Sequence, residues 1–225
     1  MIKAILFDLD NTIMDFMTMK TMASDAAIRS MVSSGLNLNE KKAKKILFEM
    51  YEKHGIEDQL IFNKFLKKTQ GKLDYRVLAN AIVAYRKTRN SLTVPYPNTK
   101  YTLIKLKSLG LKLGVVSDAP RMAAWMRLAE MDITEFFNPI ITLGDSKRLK
   151  PHPTAFKKAL RELKLKPKEV LFIGDNPSRD IKGAKAVGMK TVFAKYGQTK
   201  KIKSDADYEI KDIRDLIKII KQINK

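Results

Sequence analysis

Ile2-Lys3-Ala4-Ile5-Leu6-Phe7-Asp8-Leu9-Asp10-Asn11-Thr12 opens the chain. Ile5, Leu6 and Phe7 form an apolar, partly β-branched and aromatic run that reads as a buried strand. The run stops on two aspartates two residues apart. Residues i and i+2 of an extended segment point the same way, so both carboxylates aim into one small volume. In open α/β sheets, ligands bind at the carboxyl ends of the strands. Two like charges held this close repel, and a cation between them relieves the repulsion. Mg²⁺ takes oxygen ligands of this kind. An acidic turn after any strand would look the same, so the other strand ends must decide.

Residues 16–90 show no strand-like alternation. Ala43, Ile46, Leu47 and Met50 fall at helical spacing, as do Leu60, Phe62, Phe65 and Leu66, and then Val77, Ala81, Ala84 and Tyr85. Gly35 and Gly55 sit where helices would stop, and Asn39-Glu40 where one would start. The block 16–95 therefore reads as a helical insertion, with 1–15 and 96–225 forming the core. Pro95-Tyr96-Pro97 punctuates the return, and strand and helix then alternate. Strands are predicted over 113–116, 139–142, 170–173 and 190–194, and helices over 99–109, 120–130, 154–163 and 212–223. This alternation predicts an α/β fold: a doubly wound parallel sheet with helices on both faces.

With 225 residues, 44% of them hydrophobic, the chain can bury a sizeable core and is not disordered. It has no cysteine, which excludes disulfides and thiolate metal sites and agrees with a cytoplasmic location. The uninterrupted run from Ala4 to Phe7 is too short for a signal peptide, and no apolar run reaches membrane-spanning length. The net charge of +20 is spread evenly: +8 over 16–95 and +12 over the remainder. A diffuse excess means solvated lysines that attract anionic substrates, and it disfavours a dedicated nucleic-acid-binding tail. A basic nucleic-acid-associated module stays as the alternative from another class, predicting salt-sensitive binding and indifference to Asp8→Asn. His54 and His152 are isolated and read as non-ligands. Met14, Met17, Met19, Met22 and Trp125 are expected to be packing residues.

Further polar residues stand beside strand ends or helix starts. Ser117 follows one predicted strand, Asp175 follows another, and Lys150 precedes Pro151. In a parallel sheet these ends share one edge, where Asp8, Asp10, Ser117, Lys150 and Asp175 would converge. Three carboxylates suit a hard divalent cation, and a lysine with a hydroxyl suits a phosphate. The set describes a metal-assisted phosphoryl site. Each residue also has a local reading. Ser117 could bond nearby backbone, Asp118 and Asn176 could cap helices, Asp180 could complement a helix N-terminus, and Lys150 is one lysine among many.

Asp8-Leu9-Asp10-Asn11-Thr12, Val115-Val116-Ser117-Asp118, Leu149-Lys150-Pro151 and Ile173-Gly174-Asp175-Asn176-Pro177-Ser178-Arg179-Asp180 resemble the four ordered motifs of the haloacid dehalogenase superfamily. The helical block resembles that family's C1-type cap. The resemblance implies a Rossmann-like core with strand order 5-4-1-2-3. It implies a Mg²⁺-dependent phosphatase acting on a small phosphorylated metabolite, with the cap closing to exclude water and choose the substrate. A phosphomutase of the same family is the nearer alternative. Asp8 would be the nucleophile that forms an aspartyl-phosphate, and Asp10 the group that protonates the leaving oxygen and then activates water. Mg²⁺ would be held by Asp8, the Asp10 backbone carbonyl and Asp175. Ser117 and Lys150 would grip the phosphoryl group, with Asp118 beside them and Asp180, Thr12 and Asn176 in support. Asp118 departs from the family pattern, since many relatives carry a neutral residue there. Asp10 and Thr12 favour phosphate esters over halogenated acids. The oligomeric state, monomer or homodimer, is left open.

Overall fold

The apolar run after Lys3 forms β1 (Ala4–Phe7), and every residue in it is fully buried. The structure, a computed structural model, describes residues 1–198 and 202–225. After β1 come four helices, α1 (Phe16–Ser33), α2 (Glu40–His54), α3 (Ile61–Gln70) and α4 (Tyr75–Leu92). Then follow α5 (Thr99–Ser108), β2 (Lys112–Val116), α6 (Arg121–Glu130), β3 (Ile140–Ile141), α7 (Leu143–Ser146), α8 (Thr154–Leu163), β4 (Val170–Gly174), α9 (Lys182–Ala186), β5 (Lys190–Ala194), β6 (Tyr208–Ile210) and α10 (Asp215–Ile223). The chain divides into two compact units, Met1–Asp15 with Val94–Lys225, and Phe16–Thr93.

The first unit is a parallel six-stranded sheet in the order β3-β2-β1-β4-β5-β6. β1 lies between β2 and β4, which explains its unbroken apolar run: a central parallel strand is covered on both faces. Full burial of an Ile or Phe side chain contributes roughly 1.5–3 kcal/mol, so Ile5, Leu6 and Phe7 anchor the sheet. The edge strands are short, two residues in β3 and three in β6, which limits open backbone for pairing with other chains. The sequence reading holds no counterpart of β6, because three residues carry no period. Tertiary contacts pin it: the Asp207 carboxylate accepts from both the backbone N–H and the hydroxyl of Thr191, each at 2.7 Å. Asn224 closes the chain on itself, accepting from Ile2 N at 2.6 Å and donating to Ile2 O at 2.9 Å.

The second unit is built from α1–α4 around Ala27, Met31, Leu47, Phe65, Leu66 and Val77, all fully buried. Asn39 caps α2 by accepting from Lys42 N, and Asp74 caps α4 by accepting from Arg76 N and Val77 N, which satisfies amide groups that a helix start leaves open. Lys20 is buried in this unit. Its ammonium donates to Tyr85 Oη at 3.0 Å and lies 4.3 Å from the Tyr51 ring centre, an aromatic setting that favours a cation.

Two packing expectations fail. Trp125 is 42% exposed and Met22 is 49% exposed, whereas Met14 and Met19 are buried as expected. Helical spacing identifies a face but not which face turns inward, and both residues lie on outward faces. Among the described residues, no helix is long and apolar enough to cross a membrane.

Candidate active site

The first acidic residue continues the line of β1. Asp8 N donates to Ile173 O at 2.8 Å, and the side chain is buried at the sheet's centre. The chain then turns sharply, with Ile13 N bonded to Leu9 O at 2.9 Å and Asn11 at φ 60°. That left-handed conformation suits Asn better than most residues. Thr12 Oγ1 lies 3.4 Å from Asp8 Oδ2, a long contact. Asp10 faces a guanidinium: Arg127 Nη1 on α6 donates to its two oxygens at 3.0 and 2.8 Å.

Lys150 is buried at the centre of the cluster. Its Nζ stands 2.5 Å from Asp8 Oδ1, 2.7 Å from Asp180 Oδ1 and 3.1 Å from Val116 O. Asp8 Oδ1 and Val116 O accept ammonium protons, and Asp180 Oδ1 adds an ion pair. Burial alone would lower the lysine's pKa, but Asp180, Asp8 and Asp118 outweigh it and hold the amine protonated. Burial raises the Asp8 pKa well above the ordinary carboxylate range; Lys150 opposes this, while Asp180, Asp175 and Asp10 add to it. Asp175 is pushed up to about 7, first by burial and then by Asp180.

One carboxylate oxygen from each of Asp8, Asp175 and Asp180 lies within 4.8 Å of the others. Asp175 Oδ1 is buried and has no hydrogen-bond partner, an expensive state for a carboxylate oxygen unless a cation meets it. This donor set fits a hard divalent cation. Gly174 is what lets the third carboxylate approach. A Cβ built there would come within 2.6 Å of Asp180 Cγ and Oδ2, too close for any residue but glycine. Asp180 is more than a complement to a helix N-terminus: it is fully buried, it pairs with Lys150, and its Oδ2 accepts from Asn176 N at 3.0 Å.

Two capping readings divide. Asn176 does cap the turn Pro177–Ile181, accepting from Ser178 N and Arg179 N. Asp118 does not cap α6, whose N-cap position is Pro120. Its carboxylate instead accepts from Lys150 N at 2.9 Å and lies 3.5 Å from Arg179 Nη1, so it braces the loop that carries Lys150. Ser117 is buried at the end of β2, and its Oγ accepts from Ala119 N at 3.1 Å. That bond leaves its hydroxyl proton available to a second partner.

Sequence reasoning missed three contributors. Arg127 looks like any charged residue on a surface helix, yet only 7% of it is exposed. Tyr196 donates to Thr12 O at 2.8 Å, and Gln198 Nε2 donates to Asp175 Oδ2 at 3.0 Å and to the Asp175 carbonyl. Gly197 between them leaves no room for a Cβ against Asn11 O. The segment after β5 thus clasps the first and last acidic loops. No spacing signal marks it, because its partners are remote in the chain.

A buried carboxylate against a buried lysine, at the centre of a parallel sheet and beside two more carboxylates, is a set of groups that suits phosphoryl transfer by an enzyme of α/β fold. A family model described as haloacid dehalogenase-like hydrolase matches residues 5–194, and the chain belongs to that family. Its relatives place it among the family's phosphatases. The glyceraldehyde 3-phosphate phosphatase of Methanocaldococcus jannaschii is 36% identical over 227 residues, covering 100% of both chains. Pyrophosphatase PpaX of Bacillus mycoides is 32% identical over 176 residues, 75% of this chain and 81% of the relative. The crystal structure of a HAD phosphatase from Thermococcus onnurineus is similar at a TM-score of 0.73 with 26% identity, over 97% of this chain and 98% of that one.

Proposed function

We propose that this phosphatase is Mg²⁺-dependent and hydrolyses a small phosphorylated metabolite through an aspartyl-phosphate on Asp8. The 2.5 Å contact between Lys150 Nζ and Asp8 Oδ1 supports this reading best. It opposes the upward pull of burial on the Asp8 carboxylate and places a cation where transferring oxygens would lie. Asp8, Asp175 and the Asp10 carbonyl would hold the Mg²⁺, with Asp180 behind them. When bound, the ion would neutralise charge on the phosphoryl oxygens.

In the first step an Asp8 oxygen bonds to phosphorus as the ester P–O bond breaks, and Asp10 gives its proton to the departing oxygen. In the second, Asp10 takes a proton from water as the water oxygen bonds to phosphorus. The bond to Asp8 breaks and its electron pair restores the carboxylate, releasing inorganic phosphate. Lys150 and Ser117 hold the phosphoryl group throughout. Thr12 and Asn176 shape the loops around it, and Asp118 keeps Lys150 in place.

Phosphate release from p-nitrophenyl phosphate, with Mg²⁺ and with EDTA, tests the reading. Metal-dependent turnover that is lost in Asp8→Asn is expected. Equal turnover in EDTA, or full turnover in Asp8→Asn, would sink it. The names of the full-length relatives make glyceraldehyde 3-phosphate the first physiological ester to try. A sugar bisphosphate or a transferred phosphoryl group among the products would favour a mutase instead.

A further inference from the structure

Arg127 has no place in the mechanism just described, yet it is a buried cation beside that mechanism's acid–base group. Its side chain is 9% exposed, and its Nη1 lies 3.0 and 2.8 Å from the two Asp10 oxygens. Burying a guanidinium is costly unless it is paired, so this residue is not an idle surface charge. The contact joins α6 to the turn after β1, 117 positions away in sequence. With both Asp10 oxygens on one nitrogen, the carboxylate plane is held about a single point.

We infer that Arg127 is a positioning residue that holds the Asp10 side chain where it takes a proton from water. The inference rests on the phosphatase reading above. In the second step the water O–H bond breaks, its proton goes to an Asp10 oxygen, and the water oxygen bonds to phosphorus as the Asp8–phosphorus bond breaks. Arg127 touches none of the reacting atoms and acts through the aim of the Asp10 carboxylate. A misaimed base slows this step more than the first step of p-nitrophenyl phosphate turnover, because p-nitrophenolate departs without a proton.

The test is stopped-flow and steady-state turnover of p-nitrophenyl phosphate with Mg²⁺, in the wild type, Arg127→Met, Arg127→Lys, Asp10→Asn and the Arg127→Met/Asp10→Asn double variant. Arg127→Met is expected to release close to one p-nitrophenol per enzyme in a burst and then turn over slowly. Its kcat should fall about ten-fold or more, and kcat/KM distinctly less, since base catalysis of this kind is worth on the order of 10²–10⁴. Asp10→Asn should show the same pattern more strongly. Adding Arg127→Met to it should slow turnover no further, as expected of residues that act as a unit. Arg127→Lys should recover part of the loss. Thermal midpoints, taken alongside, separate unfolding from lost turnover, and Arg127→Gln replaces Arg127→Met if the latter does not fold. Proportional falls in kcat and kcat/KM without a burst, an additive loss in the double variant, or wild-type kcat in Arg127→Met would each overturn the inference and show an ion pair that only ties α6 to the loop. A wild type that releases no p-nitrophenol would instead overturn the phosphatase reading, and this inference with it.

Discussion

Lys150 donates to Asp8 and to Val116 O and forms an ion pair with Asp180. One buried cation cannot balance Asp8, Asp175 and Asp180, and Asp175 is pushed up to about 7, first by burial and then by Asp180. A free aspartic acid titrates near 4, so between those values the folded chain binds more protons than the unfolded one. The contribution of Asp175 to metal-free stability should therefore be fullest below about pH 4, decline as pH rises through about 7, and level off above it. Asp8, also raised, acts in the same direction. Urea midpoints in EDTA for the wild type, taken relative to Asp175→Asn, should show the decline across this range. Adding Mg²⁺ at about pH 8 should raise the midpoint, because an ion bound only by the folded state stabilises it. A wild-type midpoint that climbs with pH relative to that of Asp175→Asn in EDTA would contradict this account of the cluster. The identities of these residues were legible in the sequence. Their surplus of charge was not, because it depends on how many carboxylates share one lysine and how deeply they are buried.

At the level of elements, the carboxyl end of β4 does most to shape the cluster. Gly174 closes the strand, and its missing Cβ is the space that Asp180 occupies. Gly174→Ala should lower stability by roughly 1–3 kcal/mol, the usual cost of overpacking, and should reduce Mg²⁺-dependent turnover as Asp180 is displaced. Thermal unfolding and phosphate release measure the two effects, and an alanine variant with unchanged values in both would show that the approach is slack. Long periodic segments were the most legible elements: the helix over 154–163 and the strand over 190–194 have the predicted bounds. The last helix starts at Asp215, later than its periodicity suggests, because Asp212 accepts from Arg214 N at 2.8 Å and holds a turn there. The wide turn Pro177–Ile181 and the three-residue β6 carry no periodic signal, so only their tertiary contacts define them.

At the scale of the whole molecule, a net charge of +20 surrounds a site proposed to take phosphate esters. Such a field speeds the encounter with anions and is screened by salt over about 8–10 Å at 0.1–0.15 M. The kcat/KM for p-nitrophenyl phosphate should fall several-fold as NaCl rises from about 0.02 to 0.5 M, while kcat changes little; an unchanged kcat/KM would show that the positive charge plays no part in capture. The sequence by itself determined the class of fold, because burial on both faces demands the unbroken apolar run of a central strand and helical burial demands its own period. It also nominated Asp8, Asp10, Ser117, Lys150 and Asp175, since residues that end parallel strands must share one edge. Only the tertiary structure decided that Asp180 and Lys150 meet, that Asp118 braces the Lys150 backbone, that Arg127 faces Asp10, and that Tyr196 and Gln198 clasp the acidic loops. The physical reason is distance along the chain: periodicity reports what a residue does within its own element, whereas the partners of a buried charge are set by which elements the sheet brings side by side.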